Sequence, residues 1–213
     1  CIRDRYYLER RKWREAATLK IPHQEFVERF PFADAHIEFA RAVGAARSGN
    51  LEGAEIAVER LRVLRNSLKD SKFQWWIGQI DIQHLSAAAW LAHARRQGTA
   101  AEQLFRKAAA LEDQAGTHPV SPGQILPARE QLGEMLLEAG KPAAALAEFE
   151  QSLQAFPRRF HSELGAIRAA HRSGRHPDAR KHATALVAMA GGSGTRPAAI
   201  KLANTILSAP ARP

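Results

Sequence analysis

The sequence predicts an all-α fold, a superhelical solenoid of about four to five helical hairpins, on three observations. Alanine occurs 41 times in 213 residues and Arg outnumbers Lys 23 to 8, and these are among the side chains that lose least freedom on entering a helix. The aromatic and β-branched enrichment of strands is missing, with Phe, Trp and Tyr at only 7%. The third observation is a recurring junction between apolar-periodic runs: Ser48-Gly49-Asn50-Leu51, Ala139-Gly140-Lys141-Pro142 and Ser173-Gly174-Arg175-His176-Pro177. Glycine just past a helix end takes the left-handed conformation there, and proline suits the first turn of the next helix. Junctions this short make consecutive helices antiparallel neighbours.

In chain order, Lys12-Trp13-Arg14-Glu15-Ala16 reads as the start of a second helix and closes a first hairpin at about 1–20. Further hairpins are expected at 33–68, 73–113, 124–157 and 159–190, together one domain over 1–190. The segment 114–127 is the clearest insertion, with ligand binding and packing both open as its role. Gly191-Gly192-Ser193-Gly194-Thr195 reads as a break, after which Pro197–Leu207 forms a short capping helix within 191–213. A solenoid needs such a cap because its last apolar face has no neighbour. The opening Cys1-Ile2-Arg3-Asp4, followed at once by Tyr6, Tyr7, Leu8 and Trp13, reads as part of a longer chain.

The sharpest unit runs from Leu126 to Arg159, where Leu132, Gly133, Leu136, Gly140, Ala145, Phe149, Leu153 and Pro157 fall at fixed offsets. Small Gly133 and Ala145 allow two helices to approach, Phe149 fills the gap to the next hairpin, and Pro157 stops the helix. This unit resembles the tetratricopeptide repeat, and the whole resembles bacterial tetratricopeptide-repeat proteins. Alanines 16, 54, 101, 145 and 179 mark equivalent places, with the last step equal to the 34-residue period of that family. The resemblance implies that the first helix of each hairpin lines a concave groove. Its offsets nominate His36, Arg47, Gln83, Trp90, His93, Glu130, Glu134, Glu138, His161, Arg168, His171 and Arg172 as peptide-binding candidates. Glu130, Glu134 and Glu138 repeat at i, i+4 and i+8 as one acidic stripe, and Arg168 and Arg172 form a parallel basic pair. The bland reading of that pattern is mutual neutralisation, Glu134 with Arg168 and Glu138 with Arg172. Phe73, Trp75 and Trp76 form the densest aromatic cluster, with at least one indole in the core.

Composition narrows the function classes. Hydrophobic content of 45% with 25% charged residues is globular. No apolar run approaches the roughly 18 residues of a membrane-spanning helix. The single cysteine, Cys1, excludes an internal disulfide or a multi-cysteine zinc site. No two of the nine histidines are three or four residues apart, and no nucleophile-elbow, metalloprotease, phosphate-loop or dinucleotide fingerprint occurs. The sequence therefore points to no catalytic residue, no metal and no cofactor. The expected function is a non-catalytic scaffold holding a protein or peptide in its groove. The net charge of +9, with seven Lys or Arg against Glu163 and Asp178 between Arg158 and His182, supports a lesser alternative, nucleic-acid or polyanion binding by the C-terminal face. A further alternative is the non-catalytic portion of a larger enzyme whose chemistry lies upstream.

Overall fold

A computed structural model describes residues 2–21, 25, 30–69, 74–116, 124–190 and 197–209. Eleven helices and no strand occur among them. In order they are α1 (Ile2–Glu9), α2 (Trp13–Ala17), α3 (Pro31–Ser48), α4 (Leu51–Ser67), α5 (Gln74–Ala94), α6 (Gly98–Ala115), α7 (Ala128–Glu138), α8 (Pro142–Ala155), α9 (Phe160–Arg172), α10 (His176–Ala190) and α11 (Pro197–Ser208). The chain divides into two compact units, Cys1–Ala128 and Arg129–Pro213.

One turn is used five times. Between α1 and α2, α3 and α4, α5 and α6, α7 and α8, and α9 and α10, a residue with positive φ follows the first helix: Arg11 (54°), Gly49 (88°), Arg96 (61°), Gly140 (74°) and Gly174 (74°). The next N–H, of Lys12, Asn50, Gln97, Lys141 or Arg175, donates to a carbonyl five residues back, each at 2.9 Å. That bond satisfies one of the carbonyls left open at a helix end. Four residues further on sits an alanine: Ala16, Ala54, Ala101, Ala145 or Ala179, none more than 1% exposed. Glycine marks only three of these turns. Arg11 and Arg96 accept the same conformation against a cost of roughly 1–2 kcal/mol for an L-residue.

In unit 1 the first helices touch in succession, α1 on α3 and α3 on α5, while α2 also packs on α3 and α4 on α5. The approach of α2 to α3 is set by Gly44. A Cβ there would lie 2.5 Å from the Ala17 amide nitrogen and 2.6 Å from the Trp13 carbonyl oxygen. Phe39, Leu61, Ile80, Trp90 and Phe105 form the largest fully buried side chains nearby. In the expected insertion the helix continues further than predicted, since α6 runs to Ala115. Buried Ile82, Ala108, Ala109 and Ala128 then pack together, and the Ala128 N–H donates to the buried Glu112 carboxylate at 2.9 Å. Positions 117–123 of that expected loop lie outside the described residues.

In unit 2, Phe149 is wholly buried, and its ring fills the space a Cβ would need at both Gly133 of α7 and Gly165 of α9. α8 packs on α9, α9 on α10 and α10 on α11. Leu164, Ile167, Ala183 and Leu186 meet Ala199 and Ala203 of α11. Arg180 fastens that helix by donating from Nη1 to the carbonyls of Ile206 (3.2 Å) and Ala209 (2.8 Å), a cation at the negative end of the helix. The expected Gly191–Thr195 break lies outside the described residues.

Gly44→Ala should destabilise unit 1 by ~1–3 kcal/mol, because backbone atoms cannot rotate away from the added methyl. Gly78→Ala, in open space within α5, should be neutral or stabilise by ~0.5–1 kcal/mol. Urea unfolding followed by circular dichroism measures both; equal effects would remove the close-approach explanation.

Candidate functional site

The twelve groove candidates do not form one exposed surface. In unit 1, Trp90 is 2% exposed. It lies edge-on to Phe105 (5.2 Å between centroids) and to His93 (5.8 Å), so it is a core side chain and not the predicted surface contact. The cause is the position of α6, whose Phe105 packs against the indole. His36 and Gln83 meet: the Gln83 amide lies 2.7 Å from His36 Nδ1. Burial lowers the His36 pKa from 6.5 to about 4, against an opposing pull from Asp4. Trp76 stacks on Phe32 at 4.1 Å and stands edge-on to Trp75 and His36. Both indoles are half-buried, and Phe73 lies outside the described residues.

In unit 2, Glu130 is fully buried. Its carboxylate accepts from Arg159 Nε (2.9 Å) and Nη2 (3.1 Å), and from Ser162 Oγ (2.7 Å). This residue ties α7 to α9 and is no part of an open acidic stripe. Glu134 is half-buried and Glu138 exposed, so the three glutamates pass from core to surface. Arg172 Nη1 donates to the Leu137 carbonyl at 3.0 Å. His161 is half-buried against Phe160, while Arg168 and His171 are exposed, with His171 6.0 Å from His176.

Each unit also holds a hollow among its described residues. In unit 2 a cavity of about 380 Å³ is lined by Glu150, Leu153, Gln154, Glu163, Lys181, His182 and Ala185. His182 Nδ1 lies 2.7 Å from Glu163 Oε2, and Nε2 is 3.6 Å from Glu150 Oε1. The buried histidine and its carboxylates join α8, α9 and α10. Among the described residues, no group of three His, Cys, Asp or Glu is arranged to hold a metal ion.

The hollow in unit 1 has a different character. Its volume is about 520 Å³ and its wall is Arg11, Lys12, Trp13, Arg14, Glu15, Arg47 and Ser48. The Arg47 guanidinium carbon lies 4.3 Å from the Trp90 ring centre and 5.3 Å from that of Trp13, and Arg11 lies over the same Trp13 ring at 5.3 Å. Lys12 stands 3.9 Å from Glu15 and 5.4 Å from the Tyr6 ring. Such contacts hold long cationic side chains in place at ~0.5–2 kcal/mol each. The left-handed turn at Arg11 and the last turn of α3 bring the four cations together. Of the twelve residues that the sequence offsets nominate, Arg47 lines this hollow. The offsets missed Arg11, Lys12, Trp13 and Arg14, for which the available signal was the alternation of cations and aromatics from Arg3 to Arg14.

No protein-family model, curated protein or solved structure matches this chain.

The His36 geometry carries a pH dependence. Folded His36 stays neutral to about pH 4, whereas the unfolded chain takes up this proton near 6.5. Its contribution is therefore complete above about 6.5 and declines as pH falls toward 4, by up to ~1.4 kcal/mol per unit. Between pH 7 and 5 the wild type should lose about 2 kcal/mol more than His36→Gln in urea unfolding. Parallel losses would refute the assignment.

Proposed function

We propose that this chain is a non-catalytic scaffold of tetratricopeptide-like hairpins that binds a polypeptide segment, and that the hollow walled by Arg11, Lys12, Arg14 and Arg47 is its contact point. The observation that carries this reading is the hollow itself: an open space where Arg11 and Arg47 lie over the half-buried Trp13 ring, Arg47 also lies over buried Trp90, and exposed Lys12 and Arg14 stand on the rim. Side chains held in this way lose little entropy when a partner arrives. The five-fold turn, with its buried alanine in a constant register, supports the repeat reading of the scaffold, because each hairpin presents its neighbours with the same face.

The alternative of polyanion binding by the C-terminal basic face is weakened by how its cations are engaged. Arg159 is paired with buried Glu130, Arg175 with Asp178 at 2.7 Å, Arg172 with the Leu137 carbonyl, and Arg180 with the end of α11. Three of the seven cations between 158 and 182, Arg159, Arg172 and Arg180, thus link separate helices, and Arg175 is paired within its own turn.

Panning a displayed random-peptide library on the purified chain should enrich binders whose affinity falls at least tenfold in the Lys12→Glu/Arg14→Glu double variant and is unchanged in Lys181→Glu. Enrichment of no peptide, or of peptides indifferent to the double variant, would overturn this reading.

A further inference from the structure

We propose that the hollow of unit 2 binds a primary ammonium group on a short apolar stem, carried by a free amine or by a lysine side chain of another protein. The site is built from α8, α9 and α10 alone and stands apart from the contact point in unit 1.

The buried His182 ring supplies the first reason. Its Nδ1 lies 2.7 Å from Glu163 Oε2. An ionised carboxylate can only accept, so Nδ1 carries the hydrogen of that bond, and the neutral ring presents Nε2 as an acceptor. His182 is 4% exposed and lines the hollow, yet Nε2 makes no hydrogen bond. Glu150 Oε1 stands 3.6 Å from that nitrogen, beyond hydrogen-bond length, and is itself an acceptor. Two acceptors at this spacing admit one donor nitrogen at about 2.9 Å from both. Glu163 also lines the hollow, and its Oε1 makes no hydrogen bond. The wall thus offers three acceptors, and a primary ammonium brings three donors and no acceptor.

Charge is the second reason. Elsewhere in unit 2 the carboxylates of Glu130, Glu148 and Asp178 each meet an arginine: Arg159, Arg129 and Arg175. Glu150 and Glu163 meet none, and the ring of His182 is the group they share. The one cation of the wall, Lys181, is exposed and forms no ion pair with either carboxylate. Around a neutral ring, two carboxylates therefore stand against a single solvated ammonium.

Shape is the third. Half-buried Leu153 and Ala185 form the apolar part of the wall, suited to methylene groups that keep apolar contact while their charged head meets polar atoms. The Glu150 side chain is 30% exposed and held by no hydrogen bond, so it can turn outward and open a path to the ring nitrogen. The acceptors come from three helices, a distribution that a compact head with three rotatable donors follows more readily than the rigid planar fork of a guanidinium.

The test titrates the full chain, labelled with nitrogen-15 at histidine, with n-butylammonium at constant ionic strength. Comparison ligands are 1-butanol, n-butylguanidinium and a blocked pentapeptide with one lysine between glycines. Butylammonium should shift the His182 Nε2 resonance and saturate, with a dissociation constant on the order of 1 mM. Glu150→Gln should weaken binding by about tenfold and Lys181→Gln should strengthen it by about twofold, both with unchanged circular dichroism spectra. The lysine pentapeptide and the free amine both support the site when they bind, and their order of affinity identifies its natural source. Equal binding of butanol removes the charge argument, and equal binding of butylguanidinium removes the ammonium assignment. A ring found protonated at both nitrogens before any ligand is added, no saturable shift at His182, or wild-type affinity in Glu150→Gln each overturns the proposal. None of these outcomes bears on the contact point in unit 1.

Discussion

Five hairpins among the described residues depend on the same local arrangement: a residue forced into the left-handed region, a hydrogen bond spanning five residues behind it, and an alanine five positions ahead. The bond closes the first helix, and the alanine lets the second helix settle against its neighbours with nothing larger than a methyl group between. Where even a methyl is too much, glycine takes over, as at Gly44 beneath α2 and at Gly133 and Gly165 around the Phe149 ring. Helices that approach this closely bury their apolar faces with small side chains, which is how an alanine-rich sequence obtains a close-packed interior.

Charge placement follows from that packing. With small residues at the seams, long polar side chains from one helix reach the next. Glu130 meets Arg159 across α7 and α9, and Asp34 of α3 meets Arg60 of α4 at 3.2 Å. Removal of Arg159 leaves the fully buried Glu130 carboxylate without its cation, a large loss. Such pairs fix which faces meet, and they consume cations that composition alone suggests are available for ligands. The hollow of unit 1 differs in that two of its arginines, Arg11 and Arg47, lie over indole rings.

Helix content and hairpin junctions were legible where glycine marks the turn, at Gly49, Gly140 and Gly174. Arg11 and Arg96 adopt the same backbone without that signature, so the first and third hairpins were read from the alanine offsets of the repeat resemblance. The role of Gly133 and Phe149 was also legible, because a small residue facing a large one at fixed offset has few other uses. The candidate site was less so. Offsets carried from a repeat family assume that polar residues on first helices face outward, but Glu130 finds Arg159 and Ser162, and Trp90 finds Phe105, on elements whose approach no offset encodes. The basic-aromatic hollow draws on residues 11–15 and 47–48, and that proximity is created by Gly44.

Arg11 occupies two roles that pull in opposite directions. As the left-handed member of its turn it strains the backbone, and a glycine would relax that hinge at once. As a wall of the hollow it contributes a guanidinium that glycine lacks. Lineages selected for a sturdier fold and lineages selected to keep that guanidinium would therefore part at this codon.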